Sequence, residues 1–308
     1  MNKIFRFVAL FLLMMSALLL HAQSVNLLWC NDMGRNGYYD QKACAAAMGN
    51  LAEKVGVEAV IAVGDIHHFN GIQSVNDPLW RTNYEDIYSH PELMCFWYPV
   101  LGNHEYRGNT QAVLDYSKIS RRWHFEKRYY TKVFENKGCK LRIVFLDTTP
   151  LIDKYRNDSI TYPDAHKQSR EAELQWLDET LKNAHEDWVI VVGHHPIYAE
   201  TGKTVDERLQ MQKYVMPILH KYKNVAVYGC GHIHNFQYIQ PKGDDIAYWV
   251  NSAAALSRPV KPVDGTQWCS PSTGFTLIQA TKQQLSLSAI DKDGKTLYTL
   301  NKSKEVKK

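Results

Sequence analysis

The sequence predicts a layered α/β fold in which mixed β-sheets lie between helices. Apolar runs of strand length recur along the chain, and helix-period segments separate several of them. The last part of the chain instead contains consecutive apolar runs joined by short polar turns, a pattern typical of an antiparallel meander. Strands that alternate with helices usually pair in parallel, whereas a meander pairs antiparallel, so the sheets should be mixed.

The predicted strands are short runs dominated by apolar residues. Before the meander they are Val25–Cys30, Ala59–Val63, Phe96–Leu101, Leu141–Leu146, Trp188–Val192 and Val225–Tyr228. The predicted meander consists of Phe275–Ala280, Leu285–Ile290 and Thr296–Leu300, with its last turn at Asp293-Gly294.

Three segments have the apolar periodicity of helices. Gln41–Val55 ends at Gly56, a residue well suited to the left-handed C-cap of a helix. Arg170–Lys182 repeats leucine at helical spacing, and Asp206–His220 is the third segment. Because the sequence shows neither internal repeats nor a low-complexity linker, a single domain is the simpler interpretation.

The first 22 residues have the character of a secretory signal peptide. Lys3 and Arg6 precede an uncharged stretch from Phe7 to Leu20, and Ala22 supplies a small residue for cleavage. The stretch is short for a membrane span, and an uncleaved anchor is the alternative. We therefore expect a mature domain of residues 23–308 that is secreted or periplasmic, with no stable membrane insertion.

Charge and cysteine content narrow the functional classes. The formal net charge is +4, and loss of Lys3 and Arg6 would lower it by two, which argues against nucleic acid as a partner. The six cysteines are too few for a disulfide-built scaffold, although an exported protein could contain one or two disulfides. Cys30 and Cys230 lie in or beside apolar strands, which favours buried free thiols.

Residue types that bind metals follow five of the predicted strands. Ligands of open α/β sheets bind outside the carboxyl ends of the strands, so these five segments should converge. Each motif is weak alone, because Gly-Asp is usually a turn and Gly-His-His is often a polar loop. Together they predict a metal site built from Asn31-Asp32, Gly64-Asp65 with His67-His68, Asn103-His104-Glu105, His194-His195, and His232 with His234.

The donor types indicate which metals and which chemistry to expect. Carboxylate, imidazole and amide donors suit Fe, Mn or Zn, and they argue against Cu(I) or a cysteine-bound zinc. The donors outnumber the ligands of one tetrahedral ion, so two ions sharing a bridging carboxylate are favoured. Two such ions recur in enzymes that hydrolyse phosphate esters. His104 is then placed as general acid for the leaving group, with Glu105 orienting it through a hydrogen bond.

The motifs NDMG, GDIHHFNG, LGNHE, VGHHP and YGCGHIHN resemble the five ordered blocks of the calcineurin-like metallophosphoesterases. Within that superfamily the chain is most similar to the small purple acid phosphatases of the tartrate-resistant type. The resemblance covers roughly residues 27–250. It implies a four-layer α/β/β/α sandwich of two mixed β-sheets flanked by helices, which forms one catalytic domain over residues 23–308.

The resemblance also implies a set of ligands. His104 matches the catalytic histidine of the family, and Asn103 and His104 are expected to contact substrate. One metal ion would be bound by Asp32, Asp65, His68 and His234, and the other by Asp65 as bridge, Asn103, His194 and His232.

His68 departs from the family pattern. The purple enzymes have tyrosine three residues after the bridging aspartate, and the tyrosinate gives the iron(III) form its colour. Neutral imidazole removes one negative charge, which favours two divalent ions and a colourless protein. The alternative is that His68 only fills space and that His67, or neither histidine, binds metal.

Thr201 marks a second departure. Mammalian members have a histidine at the corresponding place that contacts substrate, whereas this chain reads Ala-Glu-Thr-Gly. Thr201 can donate a hydrogen bond but carries no charge, which leaves its substrate contact, the acid optimum and the substrate range open. The stretch Leu256–Thr273 is expected near the mouth of the site, where it shapes specificity or serves as a plain connecting loop.

The sequence therefore predicts an exported phosphatase for phosphomonoesters, small molecules or phosphoproteins, that functions as a monomer. A hydroxide bridging the two metal ions would attack phosphorus, and His104 would protonate the leaving group. A phosphodiesterase or nucleotide pyrophosphatase on the same scaffold is the alternative enzyme. The alternative from another class is a non-catalytic binding protein that retains the metals.

Overall fold

The computed structural model describes residues 24–202 and 205–304. The expected signal peptide, residues 1–22, and the domain boundary after it lie outside the described residues. In the described part of the chain, no helix combines the length and the apolar character needed to cross a membrane.

Thirteen strands are present in the described residues, and they include every predicted strand with small differences at the ends. They are β1 (Val25–Cys30), β2 (Ala59–Val63), β3 (Phe96–Val100), β4 (Tyr130–Asn136), β5 (Cys139–Phe145), β6 (Trp188–Val192), β7 (Val225–Cys230), β8 (Phe236–Ile239), β9 (Ala247–Val250), β10 (Thr266–Ser270), β11 (Gly274–Ala280), β12 (Gln284–Asp291) and β13 (Thr296–Ser303).

The strands form two mixed sheets, as predicted. The first has the order β13-β12-β11-β1-β2-β3, in which β1, β2 and β3 are parallel and the C-terminal meander pairs antiparallel to β1. The second has the order β10-β8-β9-β7-β6-β5-β4, with β5, β6, β7 and β9 parallel. The parallel strands place the loops that follow β1, β2, β3, β6 and β7 at corresponding ends of the two sheets.

The helices of the described residues are α1 (Gln41–Val55), α2 (Thr110–Asp115), α3 (Asp153–Arg156), α4 (Arg170–Lys182), α5 (Val205–Tyr214) and α6 (Met216–Lys221). Short helical turns occur at Arg81–Glu85, Pro91–Leu93, Glu105–Arg107, Tyr116–Lys118, Thr149–Leu151 and Ala165–Lys167. The predicted end of α1 is confirmed, since Gly56 adopts φ +66° and its N–H bonds to the Ala52 carbonyl at 2.9 Å.

The predicted helix Asp206–His220 is corrected by the structure into α5 and α6. Pro217 lies in the first turn of α6, where its missing N–H costs nothing. The same proline could not continue α5, because its ring would clash with the carbonyl one turn earlier. The apolar period continues across this break, so the sequence pattern alone does not reveal it.

The arrangement of side chains explains the four layers. Leu27 and Trp29 of β1 lie in a core between the two sheets, while their neighbours Leu28 and Cys30 lie in a second core on the outer face. This alternation follows from the two-residue period of a strand. Because both faces are buried, β1 is apolar at nearly every position. Helices such as α1 and α4 contribute residues to the outer core, which confirms the predicted sandwich.

The cysteines lie unpaired, so the one or two disulfides that an exported protein could contain are absent from the described residues. All six fall in the described residues, and none is bonded to another. Four of them, including Cys30 and Cys230, are buried, where a thiol packs as a small apolar group. The prediction of free thiols at Cys30 and Cys230 is therefore confirmed.

Candidate metal centre

The predicted ligands come together at the carboxyl ends of strands from both sheets. Asp32, Asp65 and His194 form one group whose ligand atoms lie within 4.8 Å of one another. A second such group consists of Asp32, His68 and His234. All of these side chains are at most 5 % exposed, so the cluster lies below the surface.

Backbone strain marks the two aspartates. Asp32 and Asp65 adopt φ of +50° and +53°, a left-handed conformation that is uncommon for residues other than glycine. The two loops are linked by a hydrogen bond from the Asp32 N–H to the Gly64 carbonyl at 3.0 Å. His232 and His234 share this conformation, with φ of +69° and +67°. Such strain is found most often at functional sites, where the surrounding structure holds it in place.

Glycine allows the loops to approach closely. A Cβ atom at Gly102 would lie 2.2 Å from Oδ1 of Asp65, and one at Gly64 would lie 2.4 Å from Nδ1 of His194. Any side chain at these two positions would therefore displace a residue of the cluster. The glycines that precede the polar residues in the motifs have a steric reason to be there.

Backbone carbonyls orient two of the histidines. Nδ1 of His194 lies 3.0 Å from the Val63 carbonyl, and Nδ1 of His234 lies 2.8 Å from the Leu256 carbonyl. Each ring therefore donates from Nδ1 and turns Nε2 toward a carboxylate, 3.2 Å from Asp65 for His194 and 3.0 Å from Asp32 for His234. This arrangement fixes the tautomer that a metal ligand needs.

His232 is oriented the other way round. Its Nδ1 lies 3.2 Å from Nε2 of His194, and its Nε2 lies 2.9 Å from Oε2 of Glu207. Its backbone N–H donates to the Asp32 carboxylate at 2.7 Å, across 200 residues of sequence. The nitrogen available to the cluster is therefore Nδ1.

Glu207 is a functional residue that the sequence analysis missed. It belongs to α5 and is 2 % exposed. Its second carboxylate oxygen accepts hydrogen bonds from Nζ of Lys154 at 2.7 Å and from the Tyr155 hydroxyl at 3.0 Å. A carboxylate on the distal nitrogen of a metal-binding histidine holds the ring and makes it a better ligand. No motif surrounds Glu207, so only the fold reveals its role.

The structure places His68 in the cluster and His67 outside it. Nε2 of His68 lies 3.6 Å from Oδ2 of Asp65, whereas Nδ1 of His67 contacts the Asn83 side chain at 3.3 Å. The His67 ring packs edge-on against Trp80 with centroids 4.5 Å apart. Of the two adjacent histidines, His68 alone is therefore a neighbour of the two aspartates.

His104 lies at the more open edge of the cluster. Its side chain is 14 % exposed, and its Nδ1 lies 2.6 Å from the Phe69 carbonyl. Its Nε2 lies 3.8 Å from Oδ2 of Asp65 and faces the cluster. Asn103, the residue before it, is 4 % exposed, and its side-chain oxygen has no hydrogen-bond partner.

Glu105 differs from its predicted role of orienting His104. Its carboxylate accepts hydrogen bonds from the backbone N–H groups of Asp65 at 2.8 Å, His67 at 2.9 Å and Gly102 at 2.8 Å. The Phe69 carbonyl occupies the nitrogen of His104 that Glu105 was expected to hold. Glu105 therefore ties together the loops that follow β2 and β3.

Two further residues from the motifs lie at the margins. His195 is fully buried, and both ring nitrogens are hydrogen-bonded, to the Thr148 hydroxyl at 2.9 Å and the Tyr155 hydroxyl at 3.1 Å. It therefore packs behind the cluster. Glu200, next to Thr201, accepts a bond from the Lys261 backbone N–H at 3.4 Å, which places this loop beside the stretch Leu256–Thr273.

The protonation states of the proposed ligands, and the ligand atoms that lack hydrogen-bond partners, indicate whether the site could bind metal ions. Burial raises the pKa of Asp65, but the neighbouring His194 and His104 outweigh it and hold that pKa well below its usual range. Burial lowers the pKa of His68 well below its ordinary value. Metal ligands require ionised carboxylates and neutral imidazoles. Burial lowers the pKa of His194, but Asp65 outweighs it and raises that pKa to about 9, so a metal ion would have to displace a proton from this ring. Both nitrogens of His68 and the side-chain oxygen of Asn103 are buried without hydrogen-bond partners, so these residues fit metal ions.

The two facing sheets hold a buried cluster of carboxylate and imidazole groups that could bind metal ions. The chain belongs to the calcineurin-like phosphoesterase family, whose model matches residues 25–236. It is thus a metallophosphoesterase, and the family's acid phosphatases support hydrolysis of phosphoric monoesters.

Comparison with known proteins extends this assignment. The chain is 30 % identical over 288 residues to tartrate-resistant acid phosphatase type 5 of Oryctolagus cuniculus, covering 87 % of this chain and 86 % of the relative. It is 29 % identical over 294 residues to purple acid phosphatase 4 of Arabidopsis thaliana, covering 91 % and 84 %. Among solved structures it is similar to GAP50 of Plasmodium, with a TM-score of 0.78, 21 % identity, and coverage of 93 % and 90 %.

Proposed function

We propose that this protein is a binuclear metal-dependent phosphatase that hydrolyses phosphomonoesters. The observation that carries the proposal is that two groups of buried donors meet at Asp65, whose Oδ2 lies 3.6 Å from His68 and 3.2 Å from His194. One ion would be bound by Asp32, Asp65, His68 and His234, and the other by Asp65, Asn103, His194 and His232.

The ions would supply an activated water at neutral pH and would neutralise charge on the phosphate. The protein's part is to hold the ligands and to move one proton. His104 donates from Nδ1 to the Phe69 carbonyl, so Nε2 is the nitrogen that faces the cluster. We infer that the imidazolium form of His104, protonated on both ring nitrogens, gives its Nε2 proton to the leaving oxygen and is left as a neutral ring that still donates from Nδ1 to Phe69. The greater exposure of His104 leaves room for that leaving group.

We further infer that both ions are divalent and belong to the Fe, Mn and Zn class. His68 contributes a neutral ring where the purple enzymes have an anionic tyrosinate, so the site has one negative charge fewer. Asp32 and Asp65 are then the carboxylates on the ions. The substrates are small-molecule or phosphoprotein monoesters, and the protein is a secreted or periplasmic monomer.

Initial rates on an aryl phosphomonoester and the matching diester, in one metal-reconstituted preparation, test the function. We expect turnover of the monoester well above the diester. The substitution His104→Ala should lower it about 10²–10⁴-fold, the usual contribution of a general acid. His185→Ala, which changes an exposed histidine, is the matched control and should leave the rate unchanged.

Two outcomes would contradict the proposal. A preference for the diester would assign the protein to the phosphodiesterases on the same scaffold. Absence of turnover on both esters, with two ions bound, would favour a non-catalytic binding protein. The similar structure GAP50 is the anchor in the inner membrane complex of Plasmodium, which makes this second outcome worth measuring.

A further inference from the structure

A cavity of about 470 Å³ opens beside the metal centre. The loops that follow β1 and β2 form it, and His68 belongs to both the cavity and the ligand cluster. Arg35 and three aromatic residues, Tyr38, Tyr39 and Phe69, complete most of its lining. Because one of its walls is a proposed metal ligand, a group in this cavity lies next to the reacting phosphate.

Arg35 is a buried cation that makes no side-chain hydrogen bond within the described residues. It is 8 % exposed, and its guanidinium lies over the Phe69 ring at 4.8 Å from the ring centre. Its Nε is buried without a partner. The Asp32 and Asp65 carboxylates stabilise its charge, and the guanidinium donors that make no hydrogen bond are available to an anionic ligand. A phosphoryl group offers the oxygen atoms that match its planar fork.

The three rings around the cavity are unusually open to solvent. Tyr38 is 71 % exposed, Tyr39 68 % and Phe69 64 %, while most other aromatic side chains of the described residues are buried or half-buried. Large apolar side chains that are exposed together at a surface cavity indicate a binding site, whereas single exposed apolar residues do not. Aromatic faces bind flat rings by stacking, and tyrosine keeps its hydroxyl in water.

We propose that Arg35, Tyr38, Tyr39 and Phe69 form a subsite that selects phosphomonoesters with a planar aromatic leaving group. The Arg35 guanidinium binds phosphoryl oxygens, and the rings hold the leaving group. This inference rests on the proposed function, since the phosphoryl group must sit at the metal centre.

Binding of two phosphonates to the metal-loaded protein, measured by calorimetry, tests the subsite. Benzylphosphonate and propylphosphonate carry the same anion but differ in the ring, and neither is cleaved. We expect the benzyl compound to bind about tenfold more tightly, the size usual for stacking on one aromatic side chain. Tyr38→Ala and Phe69→Ala should abolish most of this preference. Arg35→Gln should weaken both compounds about tenfold or more.

Matched controls separate the subsite from general effects of substitution. Phe96→Ala removes an aromatic ring that is 49 % exposed at the start of β3, and Arg81→Gln removes an exposed cation. Both should leave the two affinities unchanged. Equal affinity for the two phosphonates, or a loss in the control variants as large as in the subsite variants, would overturn the proposal.

Turnover measured in the same preparations distinguishes the two proposals. If monoesters are hydrolysed but the phosphonates bind without a preference for the ring, the subsite proposal is wrong and the phosphatase proposal stands. If the ring improves binding but no monoester is hydrolysed, the subsite proposal stands and the phosphatase proposal is wrong. Turnover of adenosine 5′-monophosphate and of phosphotyrosine then identifies the source of the ring, since the ester whose kcat/KM falls more in Tyr38→Ala and Phe69→Ala is the substrate type that the subsite serves.

Discussion

His68 is the residue at which this centre departs from its purple relatives. Both of its ring nitrogens are buried without partners, and Nε2 lies 3.6 Å from the Asp65 carboxylate. A neutral ring cannot give the charge-transfer band that tyrosinate gives with iron(III). We therefore expect iron-loaded, oxidised protein to show no strong visible band, measured by absorption spectroscopy.

The substitution His68→Tyr should create that band, because it returns the phenolate to the cluster. His67→Tyr is the matched control, since His67 faces Trp80 and Asn83 away from the two aspartates. A strong band in the unsubstituted protein, or an equal band in both variants, would show that His68 does not determine the colour.

Glu207 provides a second prediction at this scale. Its carboxylate holds Nε2 of His232 at 2.9 Å, so Glu207→Gln should lower the affinity for metal about 10- to 100-fold. Competition with a chromophoric chelator measures that affinity. Lys154→Met removes the ion pair at 2.7 Å but keeps the bond to His232, so it should change the affinity much less. Equal losses in the two variants would indicate a general structural effect.

The residues of the site differ in how far the sequence predicts them. Asp32, Asp65 and His194 follow apolar strands directly, so the rule for ligands at strand ends identifies them. Glu207 lies in a helix, 25 residues before His232, and its approach depends on how α5 packs. Arg35 was missed for a similar reason, because a single arginine in a loop carries no pattern. Tertiary packing alone brings both side chains to the site.

At the scale of elements, Asp147 links β5 to the helical layer. It is buried, accepts a hydrogen bond from the Tyr106 hydroxyl, and its backbone N–H donates to Glu173 at 2.7 Å. Burial raises the pKa of Asp147 from 3.8 to about 7, against the opposing effect of Arg128. These contacts give Asp147 a structural role in joining β5 to α4.

This raised pKa has a consequence for stability. Between about pH 4 and pH 7 the Asp147 carboxyl is more protonated in the native state than in the unfolded chain, so its contribution to the free energy of unfolding falls as pH rises. Asp147→Asn, which cannot ionise, should show a smaller fall over that range in denaturant unfolding. Asp293→Asn changes an exposed carboxylate and should keep the original slope. Equal slopes for all three proteins would contradict the prediction.

The elements that the sequence did not predict share physical features. Strands β4 and β10 lie at the edges of the second sheet, and polar residues interrupt their apolar pattern. Strands β8 and β9 have four residues each, too short for periodicity to be read. By contrast, the central strands are buried on both faces, which produces the continuous apolar runs that the sequence shows. Strand length together with an uninterrupted apolar run therefore determined which of these strands were predictable, since β8 and β9 are fully buried but too short.

At the scale of the whole molecule, the packing of the two sheets depends on Gly229. A Cβ atom there would lie 2.2 Å from the ring of Trp29, which is fully buried in the core between the sheets. Gly229→Ala should therefore lower the free energy of unfolding by about 1–3 kcal/mol, the usual cost of overpacking. Gly202→Ala is the control, since no atom lies within 4 Å of its added methyl group. Denaturant unfolding of both variants measures the difference, and equal stabilities would refute it.

The proposed metal ligands come from both sheets, so bound ions should stabilise the packing of the two sheets against each other. Asp32 and Asp65 follow strands of the first sheet, whereas His194, His232 and His234 follow strands of the second. A free metal ion at a concentration a thousand times its dissociation constant adds about 4 kcal/mol to the free energy of unfolding. Chelation should lower the melting temperature measured by calorimetry, and Asp65→Asn should remove most of the dependence on ion. A melting temperature that does not change on chelation would argue against a metal site with ligands from both sheets.

The hydrogen bond from the His232 backbone to Asp32 spans 200 residues and has a consequence for the order of folding. Contacts between such distant residues form late, because a long loop must close before they can be made. A nascent chain that has not yet reached His232 and His234 contains the aspartates but lacks the imidazoles that complete the centre. A metal ion bound by the full set of proposed ligands would therefore enter the protein only in the last stage of folding.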